Sequence, residues 1–176
     1  MHVVKNGKPA LAQRHREMEV MAFRASCGPF VDVPPNEWEK PGIAFLPDHI
    51  PCVKGAFVVR AHGHSMEPEI TDRAWCVCDP NVRLATQNQI VLVEDRSSPG
   101  TLRYALKKFR SETTYSALGE PQIGRVTLHS LNHGYPVIHL DDLGTYQIRG
   151  RLIGLVDEIR RVDRLSNREI KVDYDF

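Results

Sequence analysis

The sequence predicts a mainly-β fold: a single domain of short strands with a mobile N-terminal arm. Three observations carry this reading. From residue 53 onward, short runs rich in Val, Ile, Leu and aromatic residues alternate with turn residues, as in all-β and mainly-β domains. Between residues 27 and 51 stand Pro29, Pro34, Pro35, Pro41, Pro47 and Pro51, and proline, lacking an N–H, resists both helix and central strand. The length, 176 residues, suits one domain plus short extensions, with ample chain for a hydrophobic core.

Taken in order, residues 1–27 form the arm, in which Leu11 to Arg24 reads as a helix with Met18, Met21 and Ala22 on one side. Residues 28–52 read as an extended Pro-rich segment crossing a surface. The domain proper covers residues 53–160. Its expected strands are Ala56–Arg60, Ala74–Cys78, Gln89–Glu94, Arg103–Phe109, Arg125–Leu131, Val137–Leu140 and Tyr146–Val156. Turn residues separate them at Asp79-Pro80-Asn81, Ser97-Ser98-Pro99-Gly100, Asn132-His133-Gly134 and Asp141-Asp142. One helical turn is expected at Pro68–Thr71. Residues 161–176 mix charges of both signs and read as a surface tail.

Composition narrows the function classes. The net charge of +1 predicts no strong overall pull toward nucleic acid or membrane, so no strong direct DNA binding is expected. No stretch approaches the ~18 apolar residues of a membrane span, and the N-terminus has no apolar core of signal-peptide length. Cys27, Cys52, Cys76 and Cys78 are too few for a disulfide scaffold in a chain of this length, which points to a reducing, cytoplasmic setting.

Two stretches carry chemistry. Gly63-His64-Ser65-Met66-Glu67-Pro68 follows a strand and breaks it with a turn, where a serine exposes its hydroxyl beside backbone N–H groups able to hold an oxyanion. Serine is a poor nucleophile without a base. Tyr104-Ala105-Leu106-Lys107-Lys108-Phe109 supplies one: alternation along a strand turns Lys107 and Lys108 to opposite faces, and burial of one lowers its pKa toward the neutral form. Taken singly, a Ser-Met-Glu-Pro turn is a plain helix start and a Lys-Lys strand an exposed face. His62 and His64 with Cys76 and Cys78 form two pairs on strand faces, but zinc pairs are usually spaced more widely, and no metal or other cofactor is expected. His129, His133 and His139 read as surface or half-buried histidines.

In this order the two stretches resemble the LexA-type self-cleaving serine peptidases: LexA, phage repressors, and the UmuD subunit of a translesion DNA polymerase. The resemblance runs over roughly residues 27 to 160, through Gly63-His64-Ser65-Met66, Trp75-Cys76-Val77-Cys78-Asp79, Leu106-Lys107-Lys108-Phe109 and the closing Tyr146–Val156 stretch. It implies Ser65 as nucleophile and Lys107 as general base, supported by Gly63, His64 and Met66. It also implies a self-cleavage site at Ala-Gly or Cys-Gly some tens of residues before the serine. The chain has one Cys-Gly, Cys27-Gly28, and no Ala-Gly. Departures are His64 in place of an aspartate, and Asp72-Arg73-Ala74 where the family has Gly-Asp.

By resemblance the protein is a homodimer, a RecA–single-strand DNA filament activates it in the SOS response to DNA damage, and an error-prone DNA polymerase is its partner in DNA repair. Three other readings stay open: a LexA- or repressor-like transcriptional regulator or stress switch whose DNA-binding domain lies elsewhere, a catalytically silent interaction module of the same fold, and a processing peptidase akin to the signal peptidases.

Overall fold

All seven strands expected beyond residue 53 form. The computed structural model describes residues 16–27, 31–32, 41–82, 85–97, 103–140, 144–157 and 159–161. Gly28, the residues before 16, the turns at Ser98-Pro99-Gly100 and Asp141-Asp142, and the tail after 161 lie outside them. The strands are β1 (Arg16–Ser26), β2 (Val31–Asp32), β3 (Pro41–Leu46), β4 (Phe57–His62), β5 (Trp75–Asp79), β6 (Ile90–Asp95), β7 (Arg103–Tyr115), β8 (Pro121–His129), β9 (Ile138–His139), β10 (Tyr146–Val156) and β11 (Ile159–Arg161). The described residues contain no helix, and the fold is mainly β as expected.

The strand order is β11-β3-β1-β4-β5-β10-β6-β7-β8-β9, with β2 added against β7. Most ladders are antiparallel, but β1 runs parallel to β4 from Ala22↔Val58 to Ser26↔His62. Ser26 also pairs with Ala105 of β7. Following the ladders from β1 through β4, β5, β10, β6 and β7 therefore leads back to β1, and these strands close a barrel.

Side-chain alternation sorts the core. In β5, Cys76 and Cys78 join the cluster containing Val59, Ala61, Met66, Leu92 and Leu106, while Val77 packs with Leu46, Ile50 and Val58 on the other face. In β6, Leu92 faces that first cluster, and Val91 and Val93 pack with Phe109, Val126 and Leu128. Asp79 closes β5 by accepting the Asn81 backbone N–H and both Nε and Nη2 of Arg151 on β10.

Two expectations are corrected. The described part of the supposed helix, from residue 16 on, is strand β1, whose first half pairs with β3 (Arg16↔Leu46 to Met21↔Pro41) and whose second half pairs with β4, so this portion is tied into the sheet and not free. Glu17-Met18-Glu19-Val20 also alternates with a period of two, and non-local ladder partners decide between the two readings. The Pro-rich segment does more than cross a surface: it contains β3, whose Ala44 and Leu46 are fully buried. Pro41 stands at the first position of that strand, where a missing N–H is tolerated.

The β7–β8 hairpin is also longer than the apolar pattern suggests. Residues Glu112–Tyr115 are exposed and polar, and the ladder to Pro121–Ile123 holds them without a core beneath. The turn after β4 makes one helical-type bond, from Ile70 N–H to the Met66 carbonyl (2.9 Å), and goes no further. No helix among the described residues is long and apolar enough to cross a membrane.

Candidate active site

The site lies where β1, β4 and β7 meet. Ser26 sits between His62 of β4 and Ala105 of β7, so the next residue, Cys27, enters the space between the turn after β4 and the side chains of β7. Both backbone groups of Cys27 are bound: its N–H donates to the His62 carbonyl, and its carbonyl accepts the Ser65 N–H at 2.8 Å. Its side chain is completely buried with Met66, Ile70 and Cys76.

Gly63 makes this approach possible. Its φ of 96° is in the region that L side chains avoid, and an added Cβ would lie 3.3 Å from the Cys27 carbonyl oxygen. The Gly63 N–H is not aimed at that oxygen; it donates to Asp72 Oδ1 at 2.8 Å, which fixes the turn. Asn132 fixes it from the other side, donating its backbone N–H to the Ser65 carbonyl (2.9 Å) and its side-chain amide to the His64 carbonyl (3.2 Å). Met66 buries its side chain in the barrel and anchors the turn.

Ser65 and Lys107 are both buried, and Ser65 Oγ lies 2.7 Å from Lys107 Nζ. Ser130, just after β8, holds the same Nζ at 3.0 Å. Burial lowers the Lys107 ammonium from its ordinary 10.5 to about 8, opposed by the neighbouring Cys27. A minor but appreciable fraction of Lys107, about one tenth at about pH 7, is therefore neutral and can accept a proton from Ser65. Lys108, its neighbour on the opposite face, is half-exposed, as strand alternation requires. The Cys27 thiol is pushed up to about 11, mainly by burial, and stays protonated.

His64 points away from this chemistry. Its ring is exposed and meets Glu67 Oε1 at 2.8 Å, a contact that raises its pKa. The structure thus brings Cys27, Gly63, Ser65, Met66 and Lys107 together, turns the His64 side chain outward, and leaves Gly28 outside the described residues. Asp72, Ser130 and Asn132 join the site without having been singled out for it. Asp72 is followed by Arg73 at φ 64°, a left-handed position that a non-glycine residue seldom takes. For Ser130 and Asn132 the sequence holds only a strand end and a turn. Cys76 and Cys78 are buried in the barrel, where burial raises both thiols, and no three His, Cys, Asp or Glu side chains converge on a metal position among the described residues.

Fold and site define a β-barrel protein that places a buried serine–lysine pair against a carbonyl of its own chain. The model of the peptidase S24-like family matches residues 4–153, and the chain belongs to that family, the LexA/UmuD type that its motifs resemble. No curated protein matches the chain.

Proposed function

We propose that this protein is a serine peptidase that cuts its own chain between Cys27 and Gly28. The observation that carries the reading is the Cys27 carbonyl resting on the Ser65 N–H (2.8 Å) beside a serine hydroxyl within 2.7 Å of a buried lysine. In the proposed reaction, neutral Lys107 takes the Ser65 Oγ proton as Oγ bonds to the Cys27 carbonyl carbon. The carbonyl electron pair moves onto oxygen, where the Ser65 N–H stabilises it. Collapse breaks the bond to Gly28, whose amine leaves with the proton held by Lys107. Water, deprotonated by Lys107, then hydrolyses the Cys27–Ser65 ester and restores the serine. Placing both partners in one chain supplies the high effective concentration that a single-turnover site needs.

The cellular part of the proposal rests on resemblance to the LexA/UmuD type alone. Cleavage by this protein serves a DNA-damage response, in the cytoplasm, with a homodimer as the acting form and a UmuD-like accessory role toward an error-prone polymerase. A RecA–single-strand DNA filament would accelerate cleavage by favouring the docked state of Cys27. The test is the cleavage rate of purified protein with and without activated filament, beside Ser65→Ala and Lys107→Ala. The reading expects acceleration in the wild type alone. Cleavage without acceleration would retain the peptidase and remove this activator. A protein that is never cut and behaves identically with Ser65→Ala would be an interaction module.

A further inference from the structure

Beyond Lys107, β7 continues to Arg110, which pairs with Thr127 of β8; Thr127 in turn pairs with His139 of β9. Residues two apart in a strand share a face, so Arg125 and His129 flank Thr127 on that same side. These five side chains line one open cavity of about 520 Å³, with Val137 as an apolar wall. None of them belongs to the Ser65–Lys107 site.

What sets this cavity apart is unbalanced positive charge. Among described residues, Arg73, Arg96, Arg103, Arg149 and Arg151 each meet a carboxylate within 4.0 Å, and Arg60 lies over the Trp75 ring. Arg110 and Arg125 meet no carboxylate among the described residues, although Glu112 lies in the same lining. Two guanidinium groups and two imidazoles thus share one concavity with a single carboxylate, Glu112, which is paired with neither arginine, in a protein whose net charge is only +1. The His129 imidazole is held below its ordinary range mainly by burial, with the charges of Arg110, His139 and Lys108 acting in the same direction.

Guanidinium forks match the oxygens of a phosphate in bidentate geometry, and hydroxyl and imidazole groups complete such a site. Thr127 Oγ1 and His129 Nε2, 2.9 Å apart, are such a pair. The cavity is larger than one phosphate ion needs and lies within the ~300–1,000 Å³ typical of small-ligand sites. We infer that the groove between Arg110, Arg125, His129 and His139 binds the phosphate of a nucleotide, either free or as one unit of a single strand. This inference does not depend on self-cleavage.

The experiment is titration of the intact protein with thymidine monophosphate, thymidine and a short oligothymidylate. The monophosphate or the oligonucleotide should bind at least about tenfold more tightly than thymidine, because the phosphate carries the recognition. Equal affinity per phosphate for the two would identify a free nucleotide as the source; much tighter, salt-sensitive binding of the oligonucleotide would identify a strand. The double variant R110Q/R125Q should weaken binding at least about tenfold, while K54Q, which removes an exposed charge elsewhere, should change it less than about twofold. Phosphate binding should also shift the His129 and His139 ring signals in wild-type protein, a readout independent of variant folding. If neither phosphate ligand outbinds thymidine, if R110Q/R125Q folds and binds like wild type, or if those ring signals do not move, the inference is overturned.

Discussion

The reaction proposed for Cys27–Gly28 passes only through neutral Lys107, so its rate should report the titration of that one group. Burial brings the ammonium down to about 8. With that value, about one tenth of the molecules are neutral at about pH 7 and about nine tenths at about pH 9, a gain of about tenfold that then levels off. A lysine left at 10.5 would instead gain about a hundredfold over that interval and keep climbing beyond about pH 10. The assay is the first-order loss of intact chain, followed by mass spectrometry across this range. A climb of about a hundredfold without a plateau would refute the argument that burial tunes Lys107, as would a profile that survives Lys107→Ala. The same shift affects stability. The folded-state value lies below the unfolded one, so the folded protein holds fewer protons between them; this contribution to stability is fully present above about 10.5 and is lost as pH falls through about 8. The cost at neutral pH is about 3 kcal/mol. Lys107→Met should therefore abolish cleavage yet stabilise the protein near neutral pH by up to that amount, less the two hydrogen bonds to Ser65 and Ser130.

Four further outcomes follow from the site. Gly63→Ala forces a side chain into φ 96° and against the Cys27 carbonyl, so denaturant unfolding should show a loss of about 1–3 kcal/mol and cleavage should fall more than about a hundredfold. Ser130→Ala removes one of two hydroxyls holding Lys107 Nζ, and should slow cleavage about tenfold or more and move the midpoint of the pH–rate profile, while unfolding free energy changes by only about 1 kcal/mol. Cys27→Ala should still be cut, whereas Cys27→Leu, entering a fully closed space, should not be cut and should lower stability by about 1–3 kcal/mol in a melting assay. Because β1 is laddered to β3 and β4 and ends in buried Ala25 and Cys27, the fragment ending at Cys27 should co-elute with the remainder in native gel filtration and separate only in denaturant; immediate separation would contradict this.

How much was legible before the structure depends on whether a feature was local. Strands such as Trp75–Asp79 and Ile90–Asp95 show themselves by residues that alternate between two packed faces. Ser65 and Lys107 were legible because a turn and a strand each keep their chemistry within a few residues, and because their order resembles a known family. β1 was misread because Arg16–Arg24 fits a helical face as well as a period of two, and the ladders that decide the matter come from β3 and β4, downstream in the chain. Ser130 left no trace for a similar reason: its contact with Lys107 spans a hairpin, and no spacing rule connects two residues that meet only when β7 and β8 pair. His64 stands where the resemblance expects an aspartate; its ring is exposed and meets Glu67, and its carbonyl accepts the Asn132 side-chain amide beside Ser65.

The most direct test is intact-mass spectrometry and N-terminal sequencing of purified protein held at about pH 10, where Lys107 is neutral, beside Ser65→Ala. The account predicts two fragments from the wild type, one ending at Cys27 and one beginning at Gly28, and none from the variant. An intact wild-type chain under those conditions, or the same cut in Ser65→Ala, would contradict it.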